Sequence, residues 1–222
     1  IVPLGGKHVN HFWRLLYGLK IPFLTLLDLD REKQGAGWGR VQYARNQLIE
    51  NFRRSHRPAQ FMDENGQPSD LALDGYSDLG SLSDTDTNRM RIWLRILQEQ
   101  FDIFFSAPLD LDFSMLEAFT EVYTSLAPAN GGPRIPEREA PNYQDVIEQR
   151  VKQVLASDPS NTSDNLGSTY TQNQKELFAW YKYLFLDGSK PVAHRSALLK
   201  ITDDTLLIDQ APLTLRQLLD RA

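Results

Sequence analysis

The sequence predicts an α/β fold with a mainly parallel sheet and a helical insertion. The run from Ile21 to Leu27 is almost entirely apolar, which is typical of strands that a parallel sheet buries on both faces. Apolar residues at helical spacing from Val9 to Leu19 predict a helix before that strand, and the apolar run from Ile1 to Leu4 predicts a strand before the helix. A strand, a helix and a strand within about thirty residues form a βαβ unit, from which parallel sheets are built.

The remainder of the chain is predicted to be mostly helical. The aromatic and β-branched run from Phe101 to Phe105 predicts one further strand. Clusters of Pro, Gly, Ser and Asp predict irregular connections over residues 55–88 and 127–142. Helical periodicity predicts helices over residues 40–54, 88–99, 113–126, 143–156, 171–185, 191–200 and 213–221.

Composition and charge limit the classes of function. The 222 residues are 41% hydrophobic and 24% charged, which is ordinary for a soluble globular protein. Because the chain contains no cysteine, disulfides and thiolate metal sites are excluded, and the cytoplasm is the expected location. No apolar run is long enough to span a membrane. The net charge of −5 argues against a simple DNA-binding module, but less against a nuclease, whose acidic residues hold metal ions.

Two carboxylates, Asp28 and Asp30, follow the buried strand at the point where it gives way to a loop. In open α/β sheets, ligands bind outside the carboxyl ends of the strands. Mg²⁺ usually takes one or two carboxylates together with water and phosphate. The Asp28-Leu29-Asp30 step therefore predicts a metal site, although a solvated acidic turn has the same pattern. Glu32 either joins this site or caps the following loop.

A second acidic step, Asp110 and Asp112, follows the strand predicted at 101–105 and stands where a helix begins. Capping and the helix dipole favour acidic residues at helix N-termini, so we expect capping for at least one of the two. The other is a candidate ligand of a second metal. Two metal ions about 4 Å apart would hold the attacking and the leaving oxygen of a phosphodiester.

Lys190 stands in a Gly-Ser-Lys-Pro step just before a predicted helix. A lysine there can contact a phosphate or stabilise charge on a leaving oxygen, but an ordinary surface lysine beside a helix start has the same pattern. The histidines show no zinc-like spacing and are expected at the surface or at helix caps. They are His8, His11, His56 and His194.

Three stretches of the chain together resemble the Toprim region of OLD-family (overcoming lysogenization defect) endonucleases. Residues 1–30 resemble that family's strand, glycine-rich turn, helix and second strand, which lead into an acidic Asp-x-Asp step. Residues 101–119 are similar to its later strand and acidic step, and residues 188–191 to its basic motif. The resemblance implies a Toprim-like Rossmannoid core over residues 1–40, 100–126 and 186–222, with a helical accessory region over 41–99 and 127–185.

The resemblance also implies roles for individual residues. Asp28 and Asp30 would be catalytic metal ligands for Mg²⁺ or Mn²⁺, and Lys190 would act on the scissile phosphate. A second metal position would be served by one of three residues: Asp112, Asp110 or Ser106. The implied function is a metal-dependent DNA endonuclease, a nickase that uses a two-metal mechanism.

Toprim sites also need a glutamate in a Glu-Gly step after the first strand, and no acidic residue precedes Asp28. Either the site diverges from the family pattern or this glutamate lies upstream of Ile1. Because the chain begins without an initiator methionine, we expect it to be a fragment of a longer protein with that glutamate upstream. The resemblance further implies an upstream ABC-type ATPase domain, ATP dependence and dimerisation. DNA would be the partner of the site, and no membrane contact is expected.

Two alternatives place the same acids in other functions. Phosphatases of the haloacid dehalogenase type and nucleotide-sugar transferases also have Asp-x-Asp after an apolar strand. The phosphatases usually have a hydroxyl residue two positions after the second Asp, where this chain has Glu32. The other alternative is a non-catalytic, degenerate Toprim-like interaction module in which the acids are only helix caps.

Overall fold

The computed structural model describes residues 9–55, 79–129, 131–156 and 166–222. The described chain is mostly helical, with one small parallel sheet, which agrees with an α/β class. None of the described helices is long and apolar enough to cross a membrane. The strand predicted at 1–4 and most of the connection predicted at 55–88 lie outside the described residues.

The described residues form two compact units, one from 9–25, 38–55 and 79–104 and the other from 26–37, 105–129, 131–156 and 166–222. In the second unit, helices predicted for the Toprim-like core and helices predicted for the accessory region share one hydrophobic cluster. The division into core and accessory region stays a prediction.

Three helices make up most of the described part of the first unit: α1 (Val9–Leu19), α2 (Trp38–Ser55) and α3 (Thr87–Phe101). Their apolar faces meet around α2, and two buried tryptophans have their indole N–H groups satisfied. Trp13 donates to the hydroxyl of Thr25 at 3.0 Å, and Trp38 donates to the carbonyl of Ser83 at 3.0 Å. Buried tryptophans with bonded N–H groups fix how these segments pack.

Two strands, β1 (Thr25–Asp28) and β2 (Ile103–Ser106), form the sheet. The N–H of Thr25 donates to the carbonyl of Asp102, and the N–H of Leu29 donates to the carbonyl of Ser106. From the first bond to the second, each strand advances four residues in the same direction, so the strands are parallel. Their carboxyl ends belong to the second unit.

Both strands begin later than predicted. The N–H of Thr25 bonds Asp102, which ends α3 in a left-handed conformation with φ of 57°. Phe101 is the last residue of α3, so it is unavailable to β2, and residues 21–24 precede the first bond of the pair. The apolar runs correctly marked the strands, but a helix end determined where pairing starts.

The second unit is built from seven helices among the described residues, around one aromatic-rich core. Ring pairs such as Phe113 with Phe178 and Tyr170 with Phe178 lie 4.9 to 5.3 Å apart, within the range of favourable aromatic contacts. The helices are α4 (Leu111–Ala118), α5 (Thr120–Thr124), α6 (Tyr143–Leu155), α7 (Gln172–Tyr181), α8 (Lys190–Lys200), α9 (Asp204–Gln210) and α10 (Leu213–Arg221).

The single helix predicted over 113–126 is wrong, because Phe119 breaks it into α4 and α5. The backbone of Phe119 leaves the helical region, with φ of −123° and ψ of 44°, while its side chain is buried in the core. The hydroxyl of Thr120 donates to the carbonyl of Leu116 at 3.0 Å and so satisfies a group that the break exposes. Core packing of one aromatic ring thus overrides helix continuity.

Two other helical features differ from prediction. The helix predicted over 171–185 begins with a capping box at Thr171 and ends in a π-helical turn, Lys182–Leu186. Helix α9 was not predicted, and it begins at Asp204, just after Asp203, whose carboxylate caps the helix by accepting from two backbone N–H groups. Its apolar residues are all at least partly exposed, so they gave no core-facing pattern.

Candidate functional site

Three carboxylates lie where the two parallel strands end. Asp28 is the last residue of β1 and is exposed, Asp110 caps the N-terminus of α4, and Asp112 lies in the first turn of that helix. The N–H of Leu111 points to Oδ1 of Asp28 at 3.4 Å, which links the end of β1 to the start of α4. The end of β1 and the acidic start of α4 therefore lie side by side.

Asp110 is a buried carboxylate with both oxygens bonded. Its Oδ1 accepts from the N–H of Phe113 at 2.8 Å, and its Oδ2 accepts from the hydroxyl of Tyr181 at 2.5 Å. The capping interpretation is therefore confirmed for Asp110. Burial raises the pKa of Asp110, the two hydrogen bonds oppose this effect, and the neighbouring charge of Asp112 raises the pKa further, so that it stays above its usual value.

Asp112 is held between two basic side chains. Its Oδ1 lies 2.8 Å from Nε2 of His194, and its Oδ2 forms an ion pair with Nζ of Lys190, which also lies 3.7 Å from Oδ2 of Asp110. Burial alone would raise the pKa of Asp112, but the hydrogen bonds from His194 and Lys190 outweigh burial and hold the pKa below its usual value. Among the acids of this site, Asp112 is the one whose charge is best neutralised.

Asp28 is in the opposite electrostatic situation. Although the residue is exposed at the strand end, the protein atoms around its carboxyl remove part of its hydration, and this partial desolvation raises the pKa of Asp28 most. The charges of Asp110 and Asp30 raise the pKa further, and the weak hydrogen bond from Leu111 compensates only in part. An acid whose charge is disfavoured by neighbouring acids gains most from a bound cation. On electrostatic grounds, Asp28 is therefore the first candidate ligand.

Asp30 lies in the turn that follows β1. It is 8% exposed, its backbone has a positive φ of 51°, and its N–H donates to the carbonyl of Leu109 at 2.7 Å. Its Oδ1 accepts from Nζ of Lys33 at 2.8 Å. The left-handed conformation suits Asp and Asn better than most residues, which explains why an acid is tolerated at this turn.

Ser106 ends β2, two residues before the cis peptide bond between Ala107 and Pro108. Its side chain is 2% exposed, and its hydroxyl oxygen has no hydrogen-bond partner among the described residues. A buried hydroxyl without a partner costs free energy, so this unpaired oxygen at the end of β2 needs an explanation.

Glu32 does not join the acids. Its carboxylate accepts hydrogen bonds from the N–H of Gly167 and from both the N–H and the hydroxyl of Thr169. Arg31 donates to the carbonyl of Thr169 at 2.7 Å, and Tyr170 donates to the carbonyl of Arg31 at 2.8 Å. Glu32 and Arg31 therefore anchor the acidic turn to the segment 167–170.

Replacing Glu32 with Ala should lower the free energy of unfolding by about 2 kcal/mol, because hydrogen bonds to a charged acceptor are lost and two backbone N–H groups lose their partner. Denaturant unfolding of the metal-free protein measures this change. Glu139→Ala removes an exposed acid as the matched control and should change stability by less than about 0.5 kcal/mol. Equal stability of the two variants would contradict the anchoring role.

Three residues of the site were missed in the sequence. His194 was expected at the surface or at a cap, but it is half-buried against Asp112; Tyr181 and Tyr123 were assigned only to helices. His194 follows Lys190 by four residues on the same helix, and that spacing was the available signal. The tyrosines belong to helices whose aromatic residues mostly fill the core, so nothing in the pattern distinguished them.

Within the part of the chain that the structure describes, no three His, Asp or Glu side chains form a complete metal-binding group. The arrangement instead offers two acids with disfavoured charges, a buried hydroxyl and a lysine at the ends of two parallel strands. Comparison with protein-family models, with curated proteins and with solved structures found no match.

Proposed function

We propose that this chain contributes the metal-binding and phosphate-binding residues of a DNA endonuclease. The observation that supports this most is the group of Asp28, Asp110 and Asp112 beside Lys190, at the carboxyl ends of parallel strands. Acids that raise one another's pKa attract a cation, and a lysine beside them attracts a phosphate. A site that needs both a cation and a phosphate oxygen fits phosphodiester chemistry.

The residues fit a hard divalent cation. Mg²⁺ commonly uses one or two protein carboxylates and completes its shell with water and substrate phosphate, so a full protein cage is not required. Asp28 and Asp110 are two carboxylates with raised pKa, and the unpartnered hydroxyl of Ser106 is a further oxygen donor. Bound Mg²⁺ or Mn²⁺ would supply Lewis-acid stabilisation of phosphate charge and a water of lowered pKa.

The protein side chains divide the remaining tasks. Tyr181 and the N–H of Phe113 hold both oxygens of Asp110 and so fix its orientation. Asp30 adds negative charge near Asp28 from a backbone that its own hydrogen bonds fix. Lys190 has 45% of its side chain exposed, so its ammonium group can turn from Asp112 to a substrate phosphate. The ion pair with the phosphate then replaces the ion pair with Asp112.

The family, the metal ligands and the partners belong to the same proposal. The acidic steps and the Gly-Ser-Lys-Pro motif support membership of the OLD family and a Toprim-like core with Asp28 and Asp30 as metal ligands. They also support a two-metal mechanism with Asp112, Asp110 or Ser106 at the second position, and an ATPase domain and a second copy as partners. Asp110 and Asp112 each have both carboxylate oxygens engaged in the metal-free site, which favours Asp28 as the first ligand. An OLD-type nuclease would nick DNA without reading base edges through this chain.

Asp30→Asn tests the function. The positive φ at this position suits Asn, so the fold should persist, while nicking of supercoiled plasmid in Mg²⁺ or Mn²⁺ should fall by at least about 100-fold. The assay uses the full-length protein, and calorimetric Mn²⁺ titration accompanies it.

Retained nicking in Asp30→Asn, or no Mn²⁺ binding by the unaltered protein, would contradict the proposal. Asp209→Asn is the matched control, because Asp209 is an exposed acid on α9, away from the acidic steps in sequence. Hydrolysis of p-nitrophenyl phosphate without plasmid nicking would instead indicate the phosphatase alternative.

A further inference from the structure

A chain of hydrogen bonds runs from the core to the acid group. The hydroxyl of Tyr123, on α5, lies 2.6 Å from Nδ1 of His194, on α8. Nε2 of the same ring lies 2.8 Å from Oδ1 of Asp112, on α4. Three helices therefore meet through one imidazole ring.

The ring of His194 is fixed by its packing as well as by these bonds. It stacks on Phe185 with ring centroids 5.1 Å apart and an interplanar angle of 25°. Tyr123 meets it edge-on at 5.7 Å and is itself fully buried. Contacts with two aromatic rings restrict the imidazole and so help to keep each of its nitrogens beside its own partner.

The chemistry of Tyr123 and Asp112 determines which atom donates in each of these two hydrogen bonds. An ionised carboxylate only accepts hydrogen bonds, so Nε2 of His194 must donate to Asp112. A neutral imidazole then has its lone pair on Nδ1, and the phenol hydroxyl of Tyr123 can donate to it. The tyrosine therefore selects the tautomer that holds Asp112.

We propose that His194, held by Tyr123, is a positioning residue for the endonuclease site: it fixes Oδ1 of Asp112 so that Oδ2 faces Lys190. This inference rests on the proposed function, since it assigns the positioned carboxylate to DNA cleavage. With Oδ1 fixed, the carboxylate holds the ammonium group beside Asp110, from which it can reach a phosphate. Groups that hold a functional carboxylate typically change affinity or activity by roughly 10- to 100-fold when they are removed.

Two substitutions of His194 separate its two hydrogen bonds. The amide nitrogen of Gln can take the place of Nε2, whereas the amide of Asn can take only the place of Nδ1. In the full-length protein with Mg²⁺, we expect His194→Asn to lower kcat for plasmid nicking by roughly 10- to 100-fold with KM nearly unchanged. His194→Gln should recover most of that loss, which a merely structural role would not explain.

Tyr123→Phe tests the hydrogen bond between Tyr123 and Nδ1 of His194. It keeps the buried ring but removes the donor to Nδ1, so nitrogen NMR of the imidazole should change from the Nε2–H tautomer to a mixture, and kcat should fall by several-fold. Tyr183→Phe is the matched control, since Tyr183 lies on the π-helical turn with 37% of its surface exposed and contacts Trp180. It should alter neither readout.

The outcomes distinguish this inference from the proposed function. If the unaltered protein nicks DNA and His194→Asn does so equally well, or if Gln and Asn reduce kcat to the same extent, the positioning role is wrong while the endonuclease stands. A Nδ1–H tautomer in the unaltered protein would also overturn it. If the unaltered protein nicks no DNA with either metal, the proposed function fails, and the positioning role of His194 in cleavage fails with it.

Discussion

Asp28→Asn is expected to abolish metal-dependent DNA cleavage and, at the same time, to leave the metal-free protein as stable as before or more stable. The loss of cleavage follows because Asn has no charge to offer a cation, and metal stabilisation of a phosphate transition state is worth several kcal/mol, or about 10³-fold in rate. The plasmid-nicking assay with Mg²⁺ measures this loss.

The gain in stability follows from the direction of the pKa of Asp28. Because burial and the charges of Asp110 and Asp30 raise that pKa in the folded state, folding favours the protonated acid. The stabilising contribution is present below the unfolded value of 3.8 and is lost as pH rises through the folded pKa. At neutral pH the ionised carboxyl therefore lowers the free energy of unfolding, and Asn removes this destabilisation. Because Asp28 is exposed at the strand end, solvent screening limits the gain in the free energy of unfolding to at most about 1 kcal/mol.

Asp112→Asn is the matched comparison, with the opposite sign. Hydrogen bonds from His194 and Lys190 hold the pKa of Asp112 below its usual value, so its contribution to stability is present above the unfolded pKa and is lost as pH falls through the folded one. Denaturant unfolding in EDTA at pH 8 and at pH values stepped down below 3.8 compares the variants. We expect Asp112→Asn to destabilise the protein at pH 8, and an equal loss from Asp28→Asn would mean that the charge of Asp28 is not disfavoured.

The fold was predictable where one local signal determined the structure. The apolar run before Asp28 marked a buried strand, and helical spacing gave α1 as Val9–Leu19, as the structure has it. The pattern failed where tertiary contacts decided the outcome. Phe119 interrupts a stretch of helical periodicity because its ring is buried in the core. Helix α9 has no fully buried residue. Neither feature is visible in hydrophobic periodicity alone.

The site was predictable to the level of its acids and its lysine, because strand ends and helix starts are local features. The contacts between them were not, since Tyr123, Asp112 and His194 are separated by up to 82 residues. The anchoring of the acidic turn by Glu32 was missed for the same reason: its partners lie about 135 residues further along the chain. Sequence spacing identified which residue types were available, and only packing determined which of them meet.

Lys190→Met is expected to lower DNA cleavage by about 100- to 1,000-fold while Mn²⁺ binding persists. Removing one donor to developing charge typically has an effect of this size on kcat. The ammonium of Lys190 neutralises Asp112 and Asp110, so its loss leaves the acids free to attract a cation. Calorimetric Mn²⁺ titration and single-turnover cleavage separate these two effects. Lys182→Met is the matched control, because Lys182 pairs with the exposed Asp187 rather than with the site acids.

A double-mutant cycle shows whether Lys190 acts through Asp112. Lys190→Met alone leaves a partly buried carboxylate without its cation, so stability at pH 8 should fall; with Asp112→Asn also present, that cost should shrink. Because 45% of the lysine side chain is exposed, we expect a coupling energy of about 1 kcal/mol in denaturant unfolding. Strictly additive effects on stability would mean that the ion pair contributes nothing to the fold. If cleavage were then also unchanged in Lys190→Met, the lysine would have no role in the site, and the phosphate-binding half of the proposed function would be wrong.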